Sequence, residues 1–274
     1  MTGSQTTDNS AMRTFGTQKA GDETLAGRLI IVTGASSGIG YGTARRLAHI
    51  EGARVIAIAR RRVFRIEALA TQIREQTGEE RIFPVTTDMA NREQAESIVK
   101  GIQEKYGRVD GFIHAVNRAL RLGALEVSDH EFDLTMQINV KSALYGVQAV
   151  APLLKNQGAG AIVIYNPTPR KTADFVASEA VYTAAAHALS ALTAGWTRQL
   201  EGTGVGVREV APAPDEDVVE ALASRSGNAH DALLVAAFRD AYSVTAPPPS
   251  LTAPLSYRQP QTLKSRGGLV LKEF

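Results

Sequence analysis

Tyr182 stands near the start of an alanine-rich stretch of helical character, VYTAAAHALSALTAGW at residues 181–196. A tyrosine phenol can give a proton to a carbonyl oxygen, and it can act as a base when its pKa is lowered. Residues four apart share one face of a helix, and four residues after Tyr182 stands Ala186, which carries no charge. Without a charged partner a tyrosine stays near its reference pKa of about 10 and remains protonated at neutral pH. The stretch therefore predicts a proton donor suited to carbonyl reduction, and a poor base for alcohol oxidation.

A glycine-rich stretch, TGASSGIG at residues 33–40, follows the first apolar run and opens a segment of helical period. Its first glycine permits a tight turn, its second lets backbone approach a diphosphate, and its third allows close packing of helix on strand. The two serines and the helix N-terminus supply donors and a positive dipole end for phosphate groups. This context predicts a dinucleotide-binding loop, and a tight loop without ligand is the alternative. The residues expected to contact the cofactor here are Gly34, Ser36, Ser37, Gly38, Ile39 and Gly40.

The second apolar run ends in three consecutive arginines, within IARRRVFR. A carboxylate at this point would hold the ribose hydroxyls of NAD, whereas a guanidinium group matches a 2′-phosphate. Arg60 and Arg61 therefore predict that NADP(H) is favoured over NAD(H). The alternative is a solvated basic start of the next helix. Because the cluster is local and the formal net charge is only +2, no nucleic-acid partner is expected.

The elements that must position these residues alternate along the chain between apolar runs and segments of helical period. The runs that read as buried strands are 29–33, 54–59, 81–85, 111–116, 161–165 and 204–211. The helical segments between them are 38–50, 63–77, 91–106, 128–155 and 178–201. Strands separated by crossover helices predict an α/β fold, a doubly wound parallel sheet in three α/β/α layers that forms a single domain.

The ends of the chain differ from this pattern. Residues 1–24 are polar and are expected to form a disordered tail, which leaves residues 25–274 as the domain. Within the domain, residues 215–255 are expected to form a lid or variable region over the substrate cleft. Residues 268–274 are expected to add a last strand.

Composition excludes several classes of site. Of the 274 residues, 44% are hydrophobic and 21% charged, as in an ordinary globular protein. Cysteine is absent, so disulfide and thiolate chemistry are excluded. The N-terminus lacks the apolar core of a signal peptide, and no run of about 18 apolar residues predicts a membrane span. We therefore expect a cytoplasmic protein without a membrane partner, and the absence of His/Asp/Glu clusters with ligand spacing predicts no metal.

With these features in place, residues 25–212 resemble the short-chain dehydrogenase/reductase superfamily. The family pattern T-G-x-x-x-G-x-G is matched by TGASSGIG, and the family aspartate that contacts adenine is matched by Asp88 in TTDMA. The catalytic asparagine of the family is matched by Asn139 in INVKSAL, and its catalytic tyrosine by Tyr182. The resemblance implies a Rossmann-like fold, oxidoreductase activity with a nicotinamide cofactor, and cofactor contacts from Asp88 and Met89.

The chain departs from the family pattern around the tyrosine. The family lysine of Tyr-x-x-x-Lys, which lowers the tyrosine pKa and holds the nicotinamide ribose, is replaced by Ala186. The family serine, about thirteen residues before the tyrosine, is replaced by Pro169, although Thr168 or Asn166 could present a polar atom. General acid–base help is worth roughly 10²–10⁴ in rate, and much of it depends on these groups.

Further departures lie in the loops. HAVN at residues 114–117 stands where the family has Asn-Asn-Ala-Gly, so Asn117 is expected to place a side chain beside the nicotinamide. His114 is expected to be a strand-end residue with satisfied hydrogen bonds rather than a general base. His187 lies five residues after the tyrosine, about 140° around the helix, and is expected to face away. Ala213 replaces the glycine of the family's Ala-Pro-Gly turn.

Three functions fit these residues. The first is an NADP(H)-binding oxidoreductase, a carbonyl reductase with an atypical or weakened active site. The second is a catalytically inactive nucleotide-binding pseudoenzyme or regulatory protein, and the third is a non-redox enzyme that reuses the cleft. No motif identifies the small-molecule substrate. Arg118 and Arg121 could bind an anionic substrate or could belong to a basic surface loop.

Assembly is expected from the same resemblance. The helical segments at residues 137–155 and 182–200 carry more small apolar residues than one face of a sheet needs. In the family these two helices pair across a two-fold axis. We therefore expect a homodimer or a homotetramer formed through them.

Overall fold

A computed structural model of the chain describes residues 25–167, 173–211 and 229–243. The predicted tail at 1–24, most of the predicted lid at 215–255 and the predicted last strand at 268–274 lie outside the described residues. None of the described helices is long and apolar enough to cross a membrane.

Six parallel strands form one sheet in the order β3-β2-β1-β4-β5-β6. The strands are β1 (Leu29–Thr33), β2 (Arg54–Ala59), β3 (Ile82–Thr86), β4 (Gly111–His114), β5 (Gly160–Tyr165) and β6 (Val205–Val210). They are apolar almost throughout because both faces of the sheet are covered, as parallel sheets require. Along β1, Ile30 and Val32 face one layer while Leu29 and Ile31 face the other. The predicted doubly wound α/β fold is confirmed.

Eight helices surround the sheet in the described part of the chain. They are α1 (Gly38–His49), α2 (Phe64–Thr77), α3 (Arg92–Tyr106), α4 (Asp129–Met136), α5 (Ser142–Gln157), α6 (Ala173–Ser178), α7 (Ala180–Leu200) and α8 (Ala229–Ser243). The core residues of α1, α2 and α8 pack on one face of the sheet, and those of α3, α5 and α7 on the other. These are the three predicted layers.

The prediction of one continuous helix was wrong for one segment. The segment predicted as a single helix at 128–155 is divided into α4 and α5 by a π-helical turn, Gln137–Lys141. At the end of this turn the backbone N–H of Ser142 bonds to the carbonyl of Gln137, five residues back. Such turns often lie at functional sites because they displace a side chain from its helical position.

The sheet order creates a crevice between β1 and β4. The chain leaves β1 through α1 on one face, and it leaves β4 toward α5 on the opposite face. The connections that follow these two neighbouring strands therefore diverge, and in open α/β sheets ligands bind at the crevice that this leaves. The glycine-rich stretch and the HAVN loop follow β1 and β4, respectively, and both enter this crevice.

Candidate active site

A cleft of about 550 Å³ lies at the carboxyl ends of β1, β2, β3 and β4. Of the residues predicted to contact the cofactor, all but Gly40 line it. The lining residues are Gly34, Ser36, Ser37, Gly38, Ile39, Ile58, Ala59, Arg60, Arg61, Arg62, Thr87, Asp88, Met89, Ala90, Ala115, Val116, Asn117, Arg118, Ile138 and Ser142. Sequence reasoning missed Arg62 and Thr87, although each is adjacent to a predicted residue, and it missed Ile138 and Ser142.

The glycine-rich stretch at residues 33–40, here called the glycine loop, is packed so closely that two of its positions admit only glycine. Gly34 has a φ of +72°, and a Cβ atom there would lie 2.7 Å from the Ala115 carbonyl oxygen. A Cβ atom on Gly40 would lie 2.5 Å from the Gly34 carbonyl oxygen. Gly40 thus serves the cleft indirectly, because it lets α1 begin directly against the turn that carries the lining residues.

The N-terminus of α1 faces the cleft, and its first backbone N–H groups are not capped by the Ser37 side chain. Ser37 caps the helix in an extended conformation, but its side chain makes no capping hydrogen bond. The first turn of α1 contains no acidic residue. The first N–H groups of a helix have no intrahelical partner, and the helix dipole makes this end positive. This end of the cleft therefore fits a diphosphate.

A basic wall forms the β2 side of the cleft. The Nη1 atom of Arg60 lies 3.2 Å from Oδ2 of Asp88, and both side chains are partly exposed. The other carboxylate oxygen of Asp88 accepts a hydrogen bond from the Ala90 amide at 3.0 Å, which fixes the carboxylate. Arg62 has a φ of +58°, a left-handed conformation that is uncommon outside glycine. Such backbone strain is often found where a side chain must point to a ligand.

Two buried polar atoms in the cleft wall have no hydrogen-bond partner among the described residues. They are Oγ1 of Thr87 and Oδ1 of Asn117, which lie on the β3 and β4 sides of the cleft, respectively. Leaving such an atom unpaired costs about 1–3 kcal/mol, so these positions call for a ligand or water. Together with the glycine loop, they give a cleft whose donors and acceptors fit a dinucleotide.

Asn139 lies in the π-helical turn and holds the chain beyond β4. Its Oδ1 accepts the backbone N–H of Arg118 at 2.7 Å, and its Nδ2 donates to the Arg118 carbonyl at 2.9 Å. It is buried and does not itself line the cleft. The guanidinium group of Arg118 is bound to Glu131 at 2.7 Å and Thr135 at 2.9 Å on α4. Arg118 therefore serves to fix this loop rather than to offer a free cation.

Tyr182 lies in the first turn of α7 and is 1% exposed. Its hydroxyl donates to the carbonyl of Pro167 at 3.4 Å. Burial raises the pKa of Tyr182, a side-chain hydrogen bond from Asn117 acts against this shift, and the charge of Glu179 adds to it. The phenol is thus kept protonated. Tyr182 does not itself line the cleft, whereas its hydrogen-bond partner Asn117 does.

The position of the family lysine is occupied by Ala186, a buried residue of the core. Ala186 is buried, and its carbonyl accepts a hydrogen bond from Nδ2 of Asn166 at 2.9 Å. The same Nδ2 lies 2.9 Å from both Ser190 and Glu209. Asn166 is therefore committed to a buried network and does not present its side chain to a substrate. Thr168, Pro169 and Ala213 lie outside the described residues.

The two histidines near the site have the predicted structural roles. His114 is fully buried, with hydrogen bonds to Thr33 and Ser142, and burial lowers its pKa to about 3. It is therefore neutral and has no capacity as a base near pH 7. His187 is exposed on α7, where Nδ1 lies 2.8 Å from the carbonyl of Thr183.

The remaining candidates carry no further chemistry. Arg121 pairs with Glu179 at 3.2 Å, which favours the surface-loop interpretation over an anion site. Within the residues that the structure describes, no three His, Asp or Glu side chains are grouped to hold a metal ion.

Comparison with known proteins places the chain in a family. The family model described as short chain dehydrogenase matches residues 28–221. An uncharacterized oxidoreductase of Staphylococcus aureus strain MW2 is 30% identical over 188 residues, which are 69% of this chain and 78% of that protein.

Solved structures agree with this match. A metagenomic short-chain oxidoreductase in complex with NADP has a TM-score of 0.68 at 25% identity, covering 78% of this chain and 92% of that one. A candidate NAD(P)-dependent gluconate 5-dehydrogenase from Beutenbergia cavernae, with NADP bound at low occupancy, has a TM-score of 0.62 at 29% identity, covering 70% and 74%, respectively. The chain is a member of the short-chain dehydrogenase/reductase family of oxidoreductases.

Proposed function

We propose that this member of the family is an NADP(H)-dependent reductase of carbonyl compounds that operates without the family lysine. The observation that carries the proposal is the state of Tyr182. Its phenol is buried, its pKa is raised, and it is hydrogen-bonded to Asn117, which lines the cleft. A phenol held in this way can give up a proton to an oxygen that gains negative charge, but it does not readily take one from an alcohol.

In this proposal each part of the cleft wall has a role. The diphosphate would be held by the glycine loop and the N-terminus of α1, and a 2′-phosphate by Arg60 and Arg61. Thr87 and Asn117 would provide the remaining polar contacts, since Oγ1 and Oδ1 have no partner among the described residues. The cofactor, when bound, supplies the hydride. Tyr182 then supplies the proton to the product oxygen, and Asn139 holds the adjoining loop in place.

The preference for NADP(H) is supported by the charges at the end of β2. Three consecutive arginines line the cleft there, and Asp88, the carboxylate among the lining residues, is paired with Arg60. A free carboxylate that would favour NAD is thus replaced by a cationic wall. The two similar structures described above contain NADP.

Calorimetric titration with NADPH and NADH tests the cofactor assignment. Arg60→Ala is expected to weaken NADPH binding by about tenfold or more, because a charge-assisted contact to phosphate is worth roughly 1.5–3 kcal/mol. NADH binding should change little. Arg65→Ala is the matched control, because Arg65 belongs to the same basic cluster but lies over the Tyr41 ring and does not line the cleft. An unchanged ratio of the two affinities in Arg60→Ala would contradict the 2′-phosphate site.

A second candidate function, nucleotide binding without turnover, is favoured by one observation. The hydroxyl of Tyr182 donates to the Pro167 carbonyl, and Ala186 supplies no cation beside it. Oxidation of NADPH with a panel of small ketones and diketones, followed at 340 nm, separates the two functions.

Tyr182→Phe is the decisive variant in this assay. For a reductase, it should lower turnover by at least about a hundredfold, because it removes the proton donor, while NADPH affinity is retained. Ala186→Lys should raise turnover if the site is weakened only by the missing cation. Wild-type protein that binds NADPH but reduces no member of the panel, with Tyr182→Phe behaving identically, would favour the binding function.

A further inference from the structure

His114 connects three elements of the active-site half of the fold. It is the last residue of β4 and its side chain is fully buried. Its Nδ1 lies 3.0 Å from Oγ1 of Thr33, the last residue of β1, and its Nε2 lies 3.3 Å from Oγ of Ser142, the first residue of α5. The ring also stacks on Phe112, with centroids 6.1 Å apart. Both nitrogen atoms are therefore used, and both reach residues next to the cleft.

Counting protons assigns a direction to these hydrogen bonds. The hydroxyl of Ser142 donates its one proton to the carbonyl of Ile138. The proton between Ser142 and His114 must then come from Nε2, which assigns the Nε2–H tautomer. The neutral ring carries a single N–H group, so Nδ1 accepts from the Thr33 hydroxyl. A one-way chain runs from Thr33 through His114 and Ser142 to the Ile138 carbonyl.

The chain ends on the π-helical turn. Because the N–H of Ser142 bonds five residues back, to Gln137, the regular partner of the Ile138 carbonyl is missing. The Ser142 hydroxyl takes that place. The turn also carries Asn139, whose side chain grips the backbone of Arg118 at both its N–H and its carbonyl.

This turn forms part of the cleft wall. Ile138 and Ser142 line the cleft, and so do Asn117 and Arg118 of the loop that Asn139 holds. At the other end of the series of hydrogen bonds, Thr33 is the first residue of the glycine loop. The hydrogen bonds of His114 thus join the loop that fits the diphosphate to the wall on the β4 side.

We propose that His114 is a positioning residue for cofactor binding: through Ser142 it holds the π-helical turn and the β4-side wall of the cleft, and through Thr33 it ties that wall to the glycine loop. The identity of the ligand rests on the proposed function, whereas the hold on the turn does not. The ring touches no ligand; it acts by fixing residues that do.

Hydrogen exchange measured by mass spectrometry on the ligand-free chain tests the hold on the turn. His114→Leu removes both hydrogen bonds and replaces the ring with an apolar side chain of similar size. Exchange in a peptide covering residues 134–143 should rise by about tenfold or more, while peptides of α3 and α8 keep their protection. The control is His49→Leu, which removes another histidine from α1 away from the cleft and should leave the peptide unchanged. Unchanged exchange at 134–143, or a uniform rise over the whole chain, would overturn the proposal.

Ser142→Ala is a milder second variant that removes only the hydrogen bonds of the Ser142 hydroxyl to His114 and to the Ile138 carbonyl. It should raise exchange in the same peptide, and the double variant His114→Leu/Ser142→Ala should add little beyond the larger single effect, because both changes break one chain. Fully additive effects would mean that the two residues act separately, which contradicts the proposal.

Calorimetry with two probes tests the consequence for the cleft. 2′,5′-ADP carries only the adenine half of NADP, whereas NADPH also reaches the β4 side. His114→Leu should weaken NADPH binding by about tenfold and leave 2′,5′-ADP binding within about twofold of wild type. Equal losses for both probes, or no loss for either, would overturn the role in cofactor binding. If wild-type protein bound neither probe, the proposed function would fail instead, and the exchange experiment would still decide whether His114 holds the turn.

Discussion

At the residue scale, the chemistry of Tyr182 depends on the groups around its phenol oxygen. Burial raises its pKa, the Asn117 side chain acts against that shift, and Glu179 adds to it. Ala186 contributes no positive charge. These surroundings keep the phenol protonated over the whole neutral range, so no phenolate is available to take a proton from an alcohol. The raised pKa makes the phenol a weaker acid, but it can still give its proton to the more basic alkoxide that hydride transfer forms on a carbonyl carbon.

His114 links the stability of the fold to pH. Burial lowers its pKa from 6.5 to about 3, so between these values the unfolded chain binds a proton that the folded chain excludes. The free energy of unfolding should therefore fall as the pH falls through this window, by up to about 1.4 kcal/mol per pH unit. His114→Asn should remove about 2 kcal/mol of the loss between pH 6.5 and 5. Urea unfolding at a series of pH values measures this difference.

Wild type and His114→Asn are compared by the slope of the free energy of unfolding against pH. A loss of stability in the variant that is the same at every pH does not change this slope. Carboxylates that titrate in the same range are present in both proteins and cancel in the difference. Parallel curves for wild type and His114→Asn would mean that the folded chain protonates His114 as readily as the unfolded chain does.

At the element scale, the glycine loop and the start of α1 form one unit. A Cβ atom on Gly40 would lie 2.5 Å from the Gly34 carbonyl, which is backbone and cannot move aside cheaply. Gly40→Ala should therefore shift the loop, lower the free energy of unfolding by about 1–3 kcal/mol and weaken NADPH binding. Thermal unfolding and calorimetry measure the two effects.

Gly101 of α3 provides the matched control for this change. A Cβ atom there meets nothing within 4 Å, and the residue has ordinary helical backbone. Gly101→Ala should stabilise the protein by up to about 1 kcal/mol, because alanine is the better helix former, and should leave NADPH binding unchanged. Similar destabilisation by both substitutions would show that close packing at Gly40 is not what requires a glycine there.

The elements themselves were largely predictable, because periodicity and turn residues are local signals. The six strands and the glycine-rich turn follow from apolar runs such as LIIVT and from the glycines after it. The break between α4 and α5 was not predictable. It depends on Asn139 meeting the Arg118 backbone and on Ser142 meeting His114, and both contacts join residues more than 20 positions apart. The pairing of Arg60 with Asp88 likewise requires two strands to meet.

At the scale of the whole molecule, α8 completes the layer on one face of the sheet. Its Phe238 is fully buried and occupies the space beside Gly111 of β4, where a Cβ atom would lie 2.0 Å from the ring. At the end of the sheet opposite the cleft, Tyr242 donates to Asp110 at 3.1 Å, and Arg239 pairs with Glu51. These contacts hold α8 at the end of the sheet remote from the site. The cleft is lined instead by residues at the carboxyl edge of the sheet, and none of the described residues of α8 lines it.

Assembly is the remaining prediction at this scale. The outward side of α7 is exposed, and up to Gly195 it consists mostly of small residues, which would let a second copy of the helix approach closely. The exposed residues of this part are Ala184, His187, Ala191, Ala194 and Gly195, and the larger side chains of Thr197, Arg198 and Gln199 are exposed in the last turn of α7. We retain the prediction that the protein forms a homodimer or homotetramer through α7 and α5.

Ala191→Arg places a long charged side chain at the middle of this exposed side, while the buried side of α7 is unchanged. If copies meet through α7, burying an unpaired charge should dissociate them, because such burial costs several kcal/mol. Light scattering at micromolar concentration should then report a dimer or tetramer for wild type and a monomer for the variant. Ala68→Arg, on the exposed side of α2, is the control and should keep the wild-type mass. A wild-type monomer would contradict the predicted assembly, and an oligomer that survives Ala191→Arg would place the interface on another surface.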